Sequence, residues 1–287
     1  MNWTERRERL RATISGDRCI YPASVYDGIA ARIAGDLGFE AMMLAGSVGS
    51  FSVLAAPDIC VLTLTEFAEQ AYRINRAGSL PLLVDADHGY GNAMSVKRTV
   101  EELETAGVSG MTIEDTLLPT PYGGGDATLI PIAEGVGKMK AALAGRQDPR
   151  LVIVGRTSAM AITGVEDTIA RLQTYEAAGV DMLFMAGVKN RAQLDAVSAA
   201  TKLPIFLGGV PEDMLDADYL AARRVRICLQ GHHSFWASVQ GVYDTLKALR
   251  EGTRPSQLKN IAAADLQKRV LRQADYDRWT GEFLGEK

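Results

Sequence analysis

The chain has 287 residues, of which 47% are hydrophobic and 23% are charged. This length fits either two ordinary domains or one α/β barrel. The net charge of −4 gives no general attraction for nucleic acid or for an anionic membrane. No apolar run is long enough for a transmembrane helix, so we expect neither nucleic acid nor a membrane among the partners.

The amino-terminal segment 1–11 is rich in arginine but also contains two glutamates and has no apolar stretch. It is therefore predicted to be a short amphipathic helix and not a targeting signal. Cys19, Cys60 and Cys228 are widely spaced and odd in number, which favours free thiols over a disulfide framework. Cys60 lies in a predicted loop and is the one thiol with any prospect of reactivity. Free thiols fit a reducing compartment, so we expect a cytoplasmic protein.

Eight short apolar runs that end in small or polar residues are predicted to be strands. They are Cys19–Pro22, Ala41–Ala45, Leu82–Asp85, Gly110–Glu114, Leu151–Arg156, Asp181–Ala186, Pro204–Leu207 and Val225–Leu229. Amphipathic helical patterns separate them, and no Gly-X-Gly-X-X-Gly follows the first run. Eight β-α units without a break in composition predict a (β/α)₈ TIM-type barrel and argue against an open doubly wound sheet.

Helix starts and loop lengths add detail to this prediction. The segments Thr63–Glu66 and Thr163–Glu166 have capping-box spacing, which predicts a helix after each threonine. Two strand-to-helix connections, about 46–62 and 115–131, are unusually long, and in a barrel such connections form the face that carries the active site. The second contains prolines and three consecutive glycines, which is typical of a mobile lid, with a flexible surface insertion as the alternative.

The chain continues for nearly sixty residues after the eighth predicted strand. The part that ends near Arg250 is predicted to be the eighth barrel helix, and the remainder exceeds what a barrel needs. We therefore assign 1–250 to a barrel domain with an amino-terminal helix. Residues 251–287 are predicted to be a helical extension, not an independent domain, that packs on a neighbouring subunit or caps the barrel.

The third predicted strand leads into residues 85–92, Asp-Ala-Asp-His-Gly-Tyr-Gly-Asn. Asp85 and Asp87 occupy alternate positions, and alternate side chains of a strand share one face. Two carboxylates this close are unfavourable unless a cation neutralises them or one takes up a proton. Oxygen ligands of this kind suit Mg²⁺ or Mn²⁺. The alternative is that either residue caps the following turn or helix.

Other predicted strand ends bring further polar groups to the same face, namely Gly46 and Ser47, Asp58, Glu114 and Asp115, Arg156, and His232. Successive backbone N–H groups at Gly46 and Ser47 are suited to binding a carboxylate. Together the acidic residues and the arginine predict a site for a cation and an anionic substrate. Each has a structural alternative: a turn at Gly46, a helix cap at Asp58, an ion pair of Glu114 or Asp115 with Arg156, or a satisfied polar role for His232.

These segments resemble the isocitrate lyase and phosphoenolpyruvate mutase superfamily. The resemblance rests on residues 85–92, Thr112-Ile113-Glu114-Asp115, Gly46-Ser47, Asp58 and Gly155-Arg156-Thr157, and it covers essentially the whole chain in order. It implies an α/β barrel with Mg²⁺ and chemistry on 2-oxo acids or enolates. It also implies a homotetramer, a dimer of dimers, in which the carboxy-terminal helices are swapped between subunits.

The predicted lid separates the branches of that superfamily. Members that cleave isocitrate or methylisocitrate carry Lys-Lys-Cys-Gly-His or Arg-Cys-Gly-His there. Here residues 116–125 read Thr-Leu-Leu-Pro-Thr-Pro-Tyr-Gly-Gly-Gly, with no cysteine, histidine or lysine. Polar or basic lid groups for a phosphonyl end are missing as well. The chain therefore resembles the oxaloacetate decarboxylase branch, also through residues 114–119 and Gly231-His232.

That branch implies a carboxy-lyase that converts oxaloacetate to pyruvate and CO₂ through an enolate stabilised by Mg²⁺, with Mn²⁺ as the alternative metal. We predict metal-site residues Asp58, Asp85, Asp87 and Glu114, substrate contacts Gly46, Ser47, Arg156 and His232, and catalytic roles for Arg156 and His232. Two alternatives stay open. One is a C–C lyase or hydrolase acting on a related acid, such as a methylisocitrate-like compound or oxaloacetate. The other is a non-catalytic barrel that binds a dicarboxylate.

Overall fold

Eight parallel strands form one sheet in chain order in the computed structural model, which describes residues 2–285. The strands are β1 Ala23–Ser24, β2 Met42–Leu44, β3 Leu82–Asp85, β4 Gly110–Glu114, β5 Val152–Thr157, β6 Met182–Met185, β7 Ile205–Leu207 and β8 Val225–Cys228. A parallel bridge between Ile20 and Ile227 joins the first segment to the last. The sheet thus closes on itself, and the predicted (β/α)₈ barrel is confirmed.

Seven of the predicted strands overlap β2 to β8, but the position of the first was wrong. In the predicted segment Cys19–Pro22, only Ile20 forms a bridge, and it pairs with β8. The pairing with β2 begins at Ala23, whose N–H donates to the Ala41 carbonyl at 3.0 Å. Proline has no N–H for a ladder, so Pro22 separates the two pairings and the strand proper starts after it.

Helices follow the strands in alternation. They are α1 Trp3–Ser15, α2 Gly28–Asp36, α3 Gly46–Gly49, α4 Leu64–Ala77, α5 Ala93–Thr105, α6 Ile132–Gly145, α7 Ala159–Ile162, α8 Val165–Ala178, α9 Arg191–Ala200, α10 Ala217–Ala222, α11 His233–Arg250, α12 Ala264–Leu271 and α13 Gln273–Leu284. A π-helical turn, Ser50–Leu54, continues from α3, and short 3₁₀ turns lie at Glu212–Met214 and Pro255–Gln257. The predicted amino-terminal helix is α1.

One predicted capping box is present and the other is wrong. The Thr63 N–H donates to the Glu66 carboxylate at 3.0 Å, and the Thr63 hydroxyl accepts from the Glu66 N–H, as the spacing predicted. Thr163 instead ends α7, and its hydroxyl donates to the Asp167 carboxylate at 2.6 Å. Gly164, at φ 100°, is the residue that precedes α8. The Thr163 hydroxyl therefore bonds to a side chain four residues later and does not cap a backbone N–H of α8.

The buried residues form two layers, as strand alternation requires. Between strands and helices lies one apolar cluster, which includes Met42, Leu82 and Met111. Inside the barrel lies the other, made of Leu10, Ile14, Ile20, Ala41, Met43, Leu83, Val152, Val154, Met182, Phe184, Phe206 and Ile227. Leu10 and Ile14 belong to α1, so this helix closes the amino end of the barrel.

Two compact units divide the chain between His232 and His233. The first holds the barrel, and the second holds α11 to α13. The predicted assignment of residues up to 250 to the barrel domain stays a prediction. Within residues 2–285, no helix is both long and apolar enough to cross a membrane.

Candidate active site

Three charged side chains occupy inward positions at the carboxyl ends of neighbouring strands. Asp85 ends β3, Glu114 ends β4, and Arg156 lies near the end of β5, where it is the register partner of Glu114. Each is two residues beyond a strand position that faces the barrel interior, for example Leu83 before Asp85 and Val154 before Arg156. Alternation along the strands therefore brings these predicted site residues together at the mouth of the barrel.

Arg156 is held from several sides. Its Nη1 donates to Asp85 Oδ2, its Nη2 lies 3.6 Å from Glu114 Oε1, and its guanidinium carbon is 5.0 Å from the centroid of the Phe184 ring. The side chain is 17% exposed. Burial alone would lower the pKa of Arg156, but the carboxylates of Asp85 and Glu114 outweigh it and raise that pKa. The guanidinium is a permanent positive charge fixed at the centre of the acidic cluster.

Asp115 points away from this cluster and towards the outer helices. Its carboxylate accepts from Arg171 Nη1 at 3.0 Å and from the Tyr175 hydroxyl at 2.7 Å. Arg171 also donates to the carbonyl of Ile130 at 2.9 Å. Of the two acidic residues considered as ion-pair partners of Arg156, Glu114 has that role. Asp115 instead pairs with Arg171 of α8, and Arg171 thereby holds both ends of the long connection.

Asp87 lies beyond β3, so strand alternation does not account for its position. Its backbone is left-handed, at φ 47°, and its N–H donates to Asp85 Oδ1 at 3.2 Å. A Cβ added to Gly46 would lie 2.5 Å from Asp87 Oδ1. Any larger residue at position 46 would displace the Asp87 carboxylate, which packs directly against the Cα of Gly46. The turn after β3 brings Asp87 back to the site, next to the Gly46–Ser47 segment.

Burial and the crowding of acidic side chains raise the pKa values of several carboxyl groups in the cluster. Burial raises the pKa of Asp87 and of Glu114, and Asp85 adds to both shifts. Burial and then Asp85 also raise the pKa of Asp58. Within residues 2–285, no group of three or more histidine, cysteine, aspartate or glutamate side chains is arranged to hold a metal ion directly. The carboxylates nevertheless suit a hard cation that binds few of them directly. The others would then hydrogen-bond water molecules bound to the cation.

His232 follows β8 and hydrogen-bonds through Nδ1 to the hydroxyl of Ser24 at 2.9 Å. Ser24 is the last residue of β1, so the first and last strands together place this imidazole. Sequence reasoning missed Ser24 because it ended the first strand at Pro22. The bond fixes the plane of the ring and links its tautomer to the serine hydroxyl. Coulombic interaction of His232 with Asp58 places it near the acidic cluster.

The two long connections are where the sequence placed them. The first contains α3, so the predicted anion-binding segment Gly46–Ser47 is the start of a helical turn, whose leading N–H groups have no partner within the helix. The second is an exposed loop pinned at its base by a bridge between Thr116 and Leu129. Burial, with help from Asp87, raises the pKa of Cys60 to about 12, so this thiol is not an activated nucleophile.

Comparison with known proteins agrees with this geometry. Residues 10–250 match the family model described as phosphoenolpyruvate phosphomutase. A protein of Bradyrhizobium diazoefficiens named oxaloacetate decarboxylase is 59% identical over 287 residues, which cover 100% of both chains.

Two solved structures share the fold and a quarter of the sequence. Oxaloacetate acetylhydrolase in complex with 3,3-difluorooxalacetate has a TM-score of 0.86 at 26% identity and covers 99% of this chain and 98% of its own. Phosphonopyruvate hydrolase in complex with oxalate and Mg²⁺ has a TM-score of 0.85 at 27% identity, with 97% and 99% covered. The barrel, the acidic residues at its mouth and the match over residues 10–250 lead to one conclusion: the chain belongs to the phosphoenolpyruvate phosphomutase family, within the phosphoenolpyruvate mutase and isocitrate lyase superfamily.

Proposed function

We propose that this protein is a divalent-metal-dependent oxaloacetate decarboxylase that releases pyruvate and CO₂. The observation that carries the proposal is the site itself, a cluster of carboxylates with one fixed guanidinium at the carboxyl ends of β3 to β5. Such a site suits a cation together with an anionic 2-oxo acid. The full-length similarity to a protein named oxaloacetate decarboxylase supports this substrate.

The donor set supports Mg²⁺, with Mn²⁺ as the alternative. We assign Asp85 as the direct ligand of the metal. Asp58, Asp87 and Glu114 are assigned to hydrogen-bond the water molecules that complete its coordination. Bound there, the metal supplies a Lewis acid beside the substrate carbonyl oxygen. The raised pKa values of Asp58, Asp87 and Glu114 support the assignment, because a bound cation would offset the burial and the carboxylate repulsion that together produce them.

The protein's own residues then position the substrate for loss of its C4 carboxylate. The N–H groups at Gly46 and Ser47 bind the C1 carboxylate, and His232 donates a hydrogen bond to the substrate. As the C3–C4 bond breaks, its electron pair moves into the C2 carbonyl and CO₂ leaves. Arg156 supplies a fixed positive charge for the oxyanion that develops, which stabilises the transition state. The resulting enolate takes a proton at C3.

This route needs no side-chain nucleophile. The loop between β4 and α6 has no cysteine, histidine or lysine over residues 116–125, and the Cys60 thiol stays protonated. Decarboxylation is therefore better supported than a C–C cleavage that needs a general acid in this loop. Hydrolysis of oxaloacetate is the second candidate, because a structure similar to this chain is an oxaloacetate acetylhydrolase. It would give oxalate and acetate in place of pyruvate and CO₂.

The proposed assembly is a cytoplasmic homotetramer. The second compact unit exposes apolar side chains along one face of α11, including Val242 at 59%, Tyr243 at 61% and Leu246 at 62%. An exposed apolar face of this kind is typical of a contact with another protein surface. All three cysteines are free thiols, which fits a reducing compartment. Sedimentation of the purified protein tests the tetramer.

The first test is a product assay with oxaloacetate and Mg²⁺, corrected for the metal-only rate, on wild type and Asp85→Ala. We expect pyruvate and CO₂ from wild type, and a loss of roughly 1,000-fold in the variant, the upper range for one transition-state group. Circular dichroism checks that the variant is folded. Oxalate and acetate as products would favour hydrolysis, and no turnover above the metal-only rate would favour a binding protein.

A further inference from the structure

The turn after β3 has an unusual backbone. Asp87 and Tyr90 have left-handed φ angles of 47° and 59°, and Gly89 and Gly91 lie at 77° and 146°. Left-handed conformations are unfavourable for residues that carry a Cβ. A turn of this kind persists only where surrounding contacts determine it, and such contacts concentrate at functional sites.

Hydrogen bonds from three different elements hold this turn. The Glu114 N–H, on β4, donates to the Asp87 carbonyl at 2.8 Å. The Thr99 hydroxyl, on α5, donates to the Gly89 carbonyl at 3.0 Å. The Lys138 ammonium, on α6, donates to the His88 carbonyl at 2.8 Å. Each of the carbonyls from Asp87 to Gly89 is therefore fixed by a different element.

Lys138 differs from the other two donors because it is charged. Only 3% of the residue is exposed, and within residues 2–285 the His88 carbonyl is the one hydrogen-bond acceptor of its ammonium. Burying an ammonium is costly unless its charge is compensated. Burial lowers the pKa of Lys138, while Glu134 and then Glu114 act to raise it. The lysine thus interacts electrostatically with the acidic cluster while it ties down the turn.

The position of the turn determines the position of Asp87. His88 follows Asp87 directly, and the Asp87 carboxylate packs against the Cα of Gly46 with no room for a Cβ. A small shift of the turn would therefore move the carboxylate into Gly46 or away from the site. Charged ligand groups lose effectiveness when displaced by a fraction of an ångström to an ångström.

We propose that Lys138 is a positioning residue for the metal site. It fixes the turn that places Asp87, and its ammonium adds a positive charge at that turn. The inference deepens the proposed function and rests on its metal site. A buried helix lysine whose ammonium reached only water would have no such role, and the bond to His88 is what separates the two cases.

The test compares Lys138→Met, which keeps the chain length without charge or donor, with Lys138→Arg, which keeps both. Mn²⁺ affinity is measured without substrate by electron paramagnetic resonance, alongside kcat, KM and the melting temperature. We expect Lys138→Met to weaken Mn²⁺ binding about 10- to 100-fold, as outer-layer changes at metal sites do. Lys138→Arg should recover most of it.

Two control variants separate the contributions. Lys140→Met removes a lysine from the exposed side of the same helix and should leave Mn²⁺ affinity unchanged. Thr99→Val removes the neighbouring uncharged bond to the turn and should weaken binding less than Lys138→Met. If Lys138→Met does not fold, Lys138→Gln, which keeps a donor without the charge, takes its place in the comparison.

Mn²⁺ affinity within twofold of wild type in folded Lys138→Met overturns the proposal, even if the melting temperature falls. The same result in Lys138→Gln, which keeps a donor, overturns the role of the charge. Wild type that turns over oxaloacetate while these variants bind Mn²⁺ normally would contradict only the role of Lys138. Wild type that binds Mn²⁺ but leaves oxaloacetate unchanged would contradict only the substrate. Wild type that binds no Mn²⁺ would remove both the metal site and the role of Lys138.

Discussion

The two ends of the barrel differ in how their carboxylates are paired with positive charges. At the amino end, Arg7 lies 3.0 Å from Asp148, and Arg11 and Arg146 lie 2.9 and 2.7 Å from the two oxygens of Asp181. Carboxylates there are matched by arginines, and backbone N–H groups add further hydrogen bonds. At the carboxyl end, Asp58, Asp85, Asp87 and Glu114 share a single arginine, Arg156.

The pKa shifts follow this difference. Burial opposes ionisation of Asp148, but hydrogen bonds from the Arg150 N–H and from Arg7 outweigh it and lower its pKa to about 2. Burial and neighbouring carboxylates raise the pKa of Asp87 instead. Matched charges stabilise the folded chain, whereas unmatched ones cost stability and are kept where a ligand completes them. The amino end therefore maintains the fold, and the carboxyl end is arranged for chemistry.

The largest expected effect on turnover comes from replacing the arginine at the carboxyl end, and an arginine at the amino end serves as the comparison. Arg156→Ala should lower kcat/KM for oxaloacetate about 100-fold or more, because it removes the charge that we propose stabilises the transition state. Arg146→Ala removes bonds to Asp181 and to the Leu151 carbonyl, so it should lower the melting temperature and leave kcat/KM within about twofold. Near-normal turnover of Arg156→Ala would contradict the functional half of the comparison.

A smaller effect is expected at Ser24, which holds His232 at the carboxyl end. Ser24→Ala removes one hydrogen bond to the imidazole and should reduce kcat/KM about threefold to tenfold. Ser24→Thr keeps a hydroxyl and should restore most of the rate. Identical rates in all three proteins would show that the ring is positioned by other contacts.

The smallest effect on rate, and a clear one on stability, is expected at Asp148. Its folded pKa lies below the ordinary value of 3.8, so its contribution is present above pH 4 and is lost as the pH falls towards 2. That contribution is on the order of 2 kcal/mol. Asp148→Asn should therefore be less stable than wild type in urea unfolding at neutral pH, and the gap should narrow at about pH 3. A gap that is independent of pH would contradict this assignment, and kcat/KM should not change.

Much of the site could be predicted from sequence because strand alternation is strict. Asp85 and Arg156 lie two residues after inward-facing apolar residues, and Glu114 lies two residues after the inward-facing Thr112, so their convergence follows from the barrel alone. Ser24 was missed because Pro22 splits the first strand, and a break of this kind depends on tertiary pairing. Lys138 was missed because a lysine in an amphipathic helix is typical of a solvated face, and its burial depends on the turn it contacts.

The position of Asp87 was predicted for an incorrect reason. Its spacing from Asp85 suggested one strand face, whereas a left-handed turn returns its carboxylate to the site. The Thr163 capping box failed similarly, because a side-chain partner competed with the backbone. Local patterns predict elements well, but they do not show which of two local hydrogen-bonding choices the surrounding structure selects.

The helix that closes the amino end has a consequence for the order of folding. Segment α1 is synthesised before all eight strands, yet Arg11 bonds to the carbonyl of Arg150 and to Asp181, which follow 139 and 170 residues later. The helix therefore cannot take its final place until the ribosome has produced most of the strands. Contacts this distant in sequence slow folding because a long loop must close before they form. A helix made before every strand of the barrel thus docks only after several of those strands have been made.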